Sequence, residues 1–317
     1  MSLSRLAVAA CAVSLMAPAV AQHFPGKPVR MVTSGVGGAG DFASRLIGQA
    51  LSPAVGQPVI VDNRASSFIP AETVAQSAPD GHTLLLYGSV IWLAPFLWDN
   101  VRYDPVKDLA PITLAVTSPN VLVVHPSLPV KSVRELVTFA KARSGQLNYG
   151  IASPGSSGSL AAELFRSTAG LDMVRINYKG AGAMLNDVIA GAVHLSFATA
   201  TSAATHTKSG RLRPLAVTSA RPSTLFPGLP TVASAGLPGF ESASTTGIFA
   251  PAGTPAPIIT RLNEEIVKVL HTATVRERFM NAGSEIVASP PGQLAALVKS
   301  DMAKYGKLIR EIGVRSN

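Results

Sequence analysis

Short hydrophobic runs alternate with longer amphipathic stretches along most of the chain. The short runs are rich in β-branched residues, which predicts strands at 29–33, 58–62, 82–88, 120–126, 147–153, 174–179, 193–199 and 212–218. The longer stretches repeat apolar residues three and four positions apart, which predicts helices after Asp41, after Ser132, over 160–170, after Thr254 and over 294–312. Strands and helices in alternation are typical of an α/β fold, so we expect mostly parallel sheets flanked by helices.

The first 21 residues have a different pattern from the rest of the chain. Arg5 precedes an apolar run that ends at Ala19-Val20-Ala21, which is typical of a cleavable secretory signal peptide. We therefore expect residues 1–21 to be removed after Ala21 and the mature protein to be exported to the periplasm. The one cysteine of the chain, Cys11, lies in this segment, so the mature protein is not expected to use disulfides, thiol catalysis or thiolate metal sites.

The composition is that of an ordinary globular protein, with 47% hydrophobic and 14% charged residues over 317 positions. This length is enough for one large or two medium domains. The net charge of +9 comes from scattered basic residues rather than a Lys/Arg tract, which argues against nucleic acid and favours small anions as partners. The six histidines lack the spacing of zinc or iron ligands, so we expect neither a metal site nor a cofactor.

Two segments rich in glycine and serine each lie between a predicted strand and a predicted helix. Gly35, Gly37 and Gly40 form G-x-G-x-x-G after the first strand, and residues 154–159 read PGSSGS before the helix over 160–170. The first turn of a helix has unpaired N–H groups and a partial positive charge. Because glycine lets the backbone come close to a ligand, each loop predicts an anion site without specifying the anion.

The residues alone leave other interpretations open. A dinucleotide-binding oxidoreductase would use G-x-G-x-x-G with Asp62 as the ribose-binding acid, but Asp41 places a carboxylate where the pyrophosphate would bind. Such an enzyme also has no need of the second loop. An exported serine hydrolase would use Ser156 or Ser157, although the G-x-S-x-G spacing is absent. A tight turn that binds no ligand is a further interpretation of the first loop.

Several segments, in the same order along the chain, resemble the solute-binding proteins of tripartite tricarboxylate transporters, also called the Bug family. They include GQPVIVDNR (56–64), APDGHTLLL (78–86), YDPVKDLAPIT (103–113), NVLVVHPSLPVKSVREL (120–136), YKGAGAMLNDVIAG (178–191) and APAGTPAPI (250–258). The resemblance covers the whole mature chain. It implies a periplasmic receptor that hands a small carboxylate, di- or monocarboxylic, to a membrane carrier made of one large and one small integral subunit.

The resemblance also implies a two-lobed periplasmic-binding-protein fold, type II-like, with a hinge between two α/β lobes. We place lobe 1 at 22–119 plus 220–317 and lobe 2 at 120–219, and expect a monomer that is not an enzyme. In this family the ligand carboxylate is held mainly by backbone N–H groups of the two strand-to-helix loops. The residues expected to line the site are Ser34, Gly37, Gly38, Ala39, Gly40, Asp41, Ser89, Ser153, Gly155, Ser156, Ser157, Gly158, Ala198 and Thr199.

Some positions depart from the family pattern. Ala198 stands where many members carry an aspartate that could hold a ligand ammonium group, so amino acids are not the expected ligands. The first loop lacks the aromatic residue that is usual in the family. If Tyr87 or Trp92 lines the cleft, an aromatic acid becomes a candidate ligand. Burial in the core is the preferred interpretation of Trp92.

Overall fold

The computed structural model describes residues 24–36, 39–64, 68–152, 155–178 and 180–312. The predicted signal peptide and its cleavage after Ala21 lie outside these residues. The strands are β1 (Val29–Thr33), β2 (Val59–Asn63), β3 (Thr83–Gly88), β4 (Leu109–Val124), β5 (Asn148–Ile151), β6 (Val174–Asn177), β7 (Leu195–Thr199), β8 (Arg213–Val217), β9 (Ala243–Pro251) and β10 (Glu285–Ile286).

The helices connect most of these strands. They are α1 (Ala39–Val55), α2 (Ile69–Ala75), α3 (Val90–Leu97), α4 (Val133–Lys141), α5 (Ser157–Ala169), α6 (Ala181–Ile189), α7 (Ala200–Lys208), α8 (Ala256–Leu270), α9 (Ala273–Asn281) and α10 (Pro291–Ile312). None of the described helices combines the length and the apolar character that crossing a bilayer requires.

The strands form one continuous sheet in the order β2-β1-β3-β9-β4-β7-β5-β6, with β8 and β10 also pairing with β4. Neighbours are parallel within β2-β1-β3 and within β7-β5-β6. All pairs made by β4 and β9 are antiparallel. The expected α/β fold, with sheets flanked by helices, is confirmed. At the centre of the molecule the sheet is mixed rather than parallel, because β9 returns between β3 and β4.

Strand β4 belongs to both ends of this sheet. Its residues 109–119 pair with β9, and its residues 120–124 pair with β7. We call unit 1 the part built on β1, β2, β3, β9, β10 and the first stretch of β4. Unit 2 is the part built on β5 to β8 and the last stretch of β4. The two units are thus joined by an unbroken strand.

Each unit buries apolar side chains on both faces of its sheet. In unit 1, Met31 packs against α1 and α8 on one face, whereas its neighbour Val32 faces α3 and α10 on the other. In unit 2, Leu122 faces α4 and α5, whereas Val123 faces α6 and α7. Consecutive residues of a strand point to opposite faces, so hydrophobic runs without polar interruption fit a sheet covered on both sides.

The division into lobe 1 and lobe 2 at residues 119 and 219 stays a prediction. One observation concerns the second boundary. Val232, Leu237 and Phe240 are buried in the unit 2 core, and Phe240 stacks on Phe197 with ring centroids 6.4 Å apart. A boundary near residue 241 therefore fits the packing better than one at 219, because the segment after β8 covers unit 2 before the chain returns as β9.

Candidate functional site

The parallel strands of the two units end on opposite sides of one stretch of β4. In unit 1, the pairing of β3 with β9 and of β9 with β4 sets Gly88, the last residue of β3, level with Val116. In unit 2, β7 runs antiparallel to β4 and ends with Thr199 beside Asn120. We call residues 117–120 of β4 the waist. The carboxyl ends of both sets of strands point toward it.

Helices α1, α3, α5 and α7 follow directly from strands β1, β3, β5 and β7. Their N-terminal ends therefore lie on the waist side of their units. The first turn of each helix has N–H groups without helical partners and carries partial positive charge. This arrangement can bind a negatively charged group without a dedicated lysine or arginine.

The start of α1 packs tightly against the end of β1. Thr33 is buried and donates from Oγ1 to the carbonyl oxygen of Leu86 at 3.0 Å. A Cβ on Gly40 would stand 2.5 Å from Ser34 Oγ and 2.9 Å from Thr33 Oγ1. Residue 40 must therefore be glycine for the helix to begin this close to the strand.

The carboxylate of Asp41 belongs to a polar network at the start of α1. Its Oδ1 lies 2.8 Å from Arg45 Nε and accepts a hydrogen bond from Asn63 Nδ2 at 2.9 Å. Asn63 also donates to the carbonyl oxygen of Ser34 at 2.8 Å, and Arg45 Nη2 donates to Asn63 Oδ1 at 3.0 Å. The network ties the first loop to β2. The Arg45 cation offsets the negative charge that Asp41 places beside the helix start.

Residues 155–158, at the start of α5, are held by capping and by contact with unit 1. Ser156 is the N-cap residue, and its Oγ accepts a hydrogen bond from the backbone N–H of Ser159 at 3.3 Å. Gly155 has a φ of +75°, and a Cβ there would stand 3.0 Å from Leu97 Cδ1 on α3. A Cβ on Gly158 would collide with a backbone oxygen of β7. Residues 155–158 therefore lie where the two units meet.

A buried ionic network anchors α5 behind its capped end. Glu163 is 2% exposed and accepts a hydrogen bond from the Tyr149 hydroxyl at 2.6 Å. Its two carboxylate oxygens also lie 3.2 Å from Arg166 Nε and 3.4 Å from Arg175 Nη1. Burial, and then the bond to Glu163, raises the pKa of Tyr149 above its ordinary value. These contacts fix α5 against β5 and β6, and hence fix the direction of its N-terminal end.

The structure does not bring all the predicted site residues to the waist in the same way. Ser89 stands at the N-cap position of α3, half-buried and without a side-chain capping bond. Thr199 caps α7 and accepts from the N–H of Ser202 at 3.4 Å. Ala198 is 2% exposed and packs in the unit 2 core with Val121, which does not support a ligand contact.

The predicted residues Gly37, Gly38 and Ser153 lie outside the described residues.

Trp92 belongs to the core, which was the preferred interpretation of its sequence position. It is fully buried, its ring lies 6.0 Å from the ring of Phe249, and its Nε1 donates to Asp301 Oδ2 at 3.0 Å. The side chain is therefore committed to packing between α3 and α10 and does not line the waist.

The side chains proposed for enzymatic alternatives have other partners. Asp62 lies 3.5 Å from Arg30 and 3.1 Å from Arg64, so the candidate ribose-binding acid is already paired with cations. Ser157 donates from Oγ to Asn120 Oδ1 at 3.3 Å, and an amide oxygen is not a general base. Over the ranges that the structure describes, no three His, Cys, Asp or Glu side chains form a group that could hold a metal ion.

Sequence reasoning missed several residues that shape this region. Asn63, which links Asp41 to the first loop, directly follows a predicted strand, and an amide at a strand end is a usable signal. Arg45 stands four positions after Asp41, the spacing of an ion pair on one helix face. Leu97 and Asn120 carry no such local signal, because their roles depend on contacts with residues far away in the sequence.

Two α/β units that share one strand and turn their helix starts toward a common waist define a solute-binding protein of the periplasmic type. The family model described as tripartite tricarboxylate transporter family receptor matches residues 43–314. The chain belongs to this family, and the resemblance predicted from its sequence is confirmed. The family consists of solute-binding receptors rather than enzymes, and its members are periplasmic binding proteins.

Individual relatives match over almost their full length. Protein BugT of Bordetella pertussis is 33% identical over 306 residues, which are 95% of this chain and 94% of BugT. The structure of R. palustris Rpa4515 with adipate is 34% identical, covers 92% of this chain and 98% of its own, and has a TM-score of 0.75. MatC from Rhodopseudomonas palustris with bound malate is 28% identical, covers 90% and 100%, and has a TM-score of 0.72.

Proposed function

We propose that this receptor captures a small carboxylic acid, dicarboxylic or monocarboxylic, at the waist between units 1 and 2. The observation that carries the proposal is that two glycine-containing helix starts, those of α1 and α5, lie on the waist side of different units. The structures of Rpa4515 with adipate and of MatC with malate support the choice of a carboxylate.

The local chemistry fits a carboxylate better than a cation. The free N–H groups at a helix start donate hydrogen bonds, and bonds to an ionised acceptor are stronger than bonds between neutral groups. Asp41 does not oppose an anion strongly, since Arg45 lies 2.8 Å from its carboxylate. Gly40 and Gly155 lie where protein atoms of Thr33 and Leu97 stand close to the place of a Cβ, so glycine at these positions lets both helix starts pack closely at the waist.

The side chains around the waist favour an aliphatic acid. Trp92 is buried in the core, which removes one of the two aromatic residues that would favour an aromatic ligand. Ala198 is buried in the unit 2 core and has no carboxylate, so this position supplies no partner for a ligand ammonium group. We therefore place aliphatic mono- and dicarboxylates ahead of aromatic acids and amino acids.

The transport step follows from the family. Residues 1–21 would direct export and be removed after Ala21, and the mature monomer would work in the periplasm. Lobes 1 and 2 would close on the acid about the hinge, and the closed form would deliver it to a carrier of one large and one small integral subunit. Closure by a ligand requires that the ligand bind the closed form more tightly than the open form.

A thermal-shift screen tests the proposal. The mature protein is heated with adipate, malate, citrate, benzoate and aspartate, and the best ligand is then titrated by calorimetry. We expect at least one aliphatic acid to raise the melting temperature, because a ligand that binds only the folded state stabilises it. Adipamide, which has the shape of adipate without its charges, is the matched control and should have no effect. Failure of every acid would overturn the proposal.

A further inference from the structure

Asn120 occupies the waist itself and is completely buried. Its backbone N–H donates to Thr218 Oγ1 at 2.8 Å, and its carbonyl oxygen accepts from the N–H of Thr218 at 2.9 Å. Its side-chain oxygen accepts from Ser157 Oγ at 3.3 Å. Three of the polar groups of this residue are therefore satisfied and hold it in place.

The side-chain nitrogen of Asn120 is the exception. Nδ2 is buried and has no hydrogen-bond acceptor among the residues that the structure describes. A buried amide without an acceptor is costly, and native proteins contain few of them. Since the terminal oxygen and nitrogen of an amide share one carbon, Nδ2 also lies beside Ser157, the first residue of α5. The unpaired donor is thus at the positive end of a 13-residue helix.

A carboxylate oxygen at this helix start would provide an acceptor for Nδ2 and a negative charge at the positive end of α5. It would accept from the N–H groups of the first turn of α5 and from Nδ2, so a donor with no acceptor among the described residues would gain an ionised partner. We propose that Asn120 is a specificity-determining residue that supplies a side-chain donor to the ligand carboxylate held by α5. This inference rests on the proposed function and assigns one residue to it.

The contact depends on movement of the units. Nδ2 is shielded from solvent in this conformation, so the acid would reach it when the units separate and would be enclosed as they close. Loss of the amide should therefore weaken binding of the acid. Its cost to the stability of the ligand-free protein comes from the Oδ1 bond with Ser157 and from the space left by the side chain, because Nδ2 has no bond to lose.

Asn263 offers a matched control. It lies on α8, and its Nδ2 donates to the carbonyl oxygens of Ile112 and Ser289, both at 2.8 Å. Asn263→Ala removes an amide nitrogen that is fully bonded and belongs to unit 1 packing. It should lower the melting temperature and leave the affinity of the folded protein for the acid unchanged.

The test measures adipate affinity by calorimetry and the melting temperature of the empty protein for wild type, Asn120→Ala and Asn263→Ala. We expect Asn120→Ala to bind adipate about 10- to 100-fold more weakly, the range for a hydrogen bond to a charged group. If adipate does not bind, the best acid of the screen replaces it. Asn120→Asp, which keeps the acceptor for Ser157, is the second variant should Asn120→Ala not fold, and it should bind still more weakly because two carboxylates repel.

The outcomes separate the two proposals. Affinity within 2-fold of wild type in the folded Asn120 variant would mean that Nδ2 meets only an ordered water, and would overturn this inference alone. A wild-type protein that binds no carboxylate would overturn the proposed function, and this inference with it.

Discussion

Leu97 of α3 packs directly against Gly155, at a distance that leaves 3.0 Å between Leu97 Cδ1 and the place of a Cβ at residue 155. The two residues belong to different units, and Gly155 precedes the cap of α5 by one position. Contact between the units and the shape of the second loop are therefore linked. A side chain at residue 155 would disturb either the contact with Leu97 or the backbone conformation of residue 155.

Gly155→Ala is expected to impair both stability and binding. The φ of +75° costs a residue with a Cβ about 1–2 kcal/mol, and the methyl group also presses on Leu97. We expect the affinity for the acid to fall about 10-fold, the effect of about 1.4 kcal/mol. Unfolding in urea and calorimetry measure the two effects.

The control for Gly155→Ala is Gly170→Ala. Gly170 ends α5 with a φ of +61°, but nothing lies within 4 Å of its Cβ position. This variant should lose a similar amount of stability and keep its affinity. Equal affinities in the two variants would show that the contact between Leu97 and Gly155 does not matter for binding.

Gly40→Ala should weaken binding through the first loop. The Ser34 hydroxyl can turn away from the new methyl group, but Thr33 is buried and bonded to Leu86, so the start of α1 must move. Overpacking of this kind costs about 1–3 kcal/mol. If about 1.4 kcal/mol of this cost falls on the binding free energy, the affinity for the acid becomes about 10-fold lower. Calorimetry measures this change.

Gly292→Ala is the matched control, since Gly292 is also the second residue of a helix. It is exposed, and nothing lies within 4 Å of its Cβ position. Alanine is the better helix former, so this variant should gain up to about 1 kcal/mol with unchanged affinity. A Gly40→Ala protein that binds as well as Gly292→Ala would remove the first loop from the site.

Arg45 and Asp41 should have opposite effects on the affinity for an acid. Arg45→Ala leaves the Asp41 carboxylate without its cation beside the proposed anion site, so binding should weaken several-fold, and the deficit should shrink with added salt. Asp41→Asn removes the negative charge and should bind at least as well as wild type. The double variant should recover most of the lost affinity. A deficit that persists in the double variant would assign the effect to lost packing of Arg45.

Asp301 predicts a pH dependence of stability. Burial raises the pKa of its carboxyl group, although Trp92 Nε1 donates to it and Lys304 lies nearby. The folded state therefore holds the proton to a higher pH than the unfolded state, whose carboxyl titrates near about 3.9. The stabilisation from the protonated group is complete below about pH 3.9 and is lost as the pH rises through the raised folded pKa.

Asp301→Asn removes this titration and keeps an acceptor oxygen for Trp92. Its free energy of unfolding, measured in urea, should exceed that of wild type at about pH 7, and the difference should shrink toward about pH 4. Exposed Asp99→Asn controls for the loss of one negative charge. A difference that is constant with pH would show that burial of Asp301 is not the cause.

The predicted strands and helices were those with strong local patterns. The run VRMVT at 29–33 is observed as β1, and the helix predicted after Ser132 is observed as α4, with Ser132 as the N-cap residue accepting from the N–H of Glu135. Residues 109–119 of β4 were not among the predicted strands, and Pro111 and Pro119 are residues that weaken a strand pattern. Both prolines fit here, as β4 has register irregularities near Pro111 and changes partner after Pro119.

The residues of the candidate site also fall into two groups, those with a local sequence signal and those without one. Glycines before a helix are local signals, and those at 40, 155 and 158 lie where packing excludes a side chain. The contact of Leu97 with Gly155 and the bond of Ser157 to Asn120 join residues far apart in sequence, and no local pattern encodes such pairs. The family resemblance predicts Ala198 at the site. Side chains alternate between the two faces of β7, and that of Ala198 points into the unit 2 core.

Because β4 runs without a break through both units, recombination cannot exchange them between relatives without cutting a hydrogen-bonded strand. A chimera of two such receptors would need β4 and its neighbour β9 from a single parent. New ligand preferences are therefore easier to obtain by grafting loops at the strand ends than by exchanging whole units.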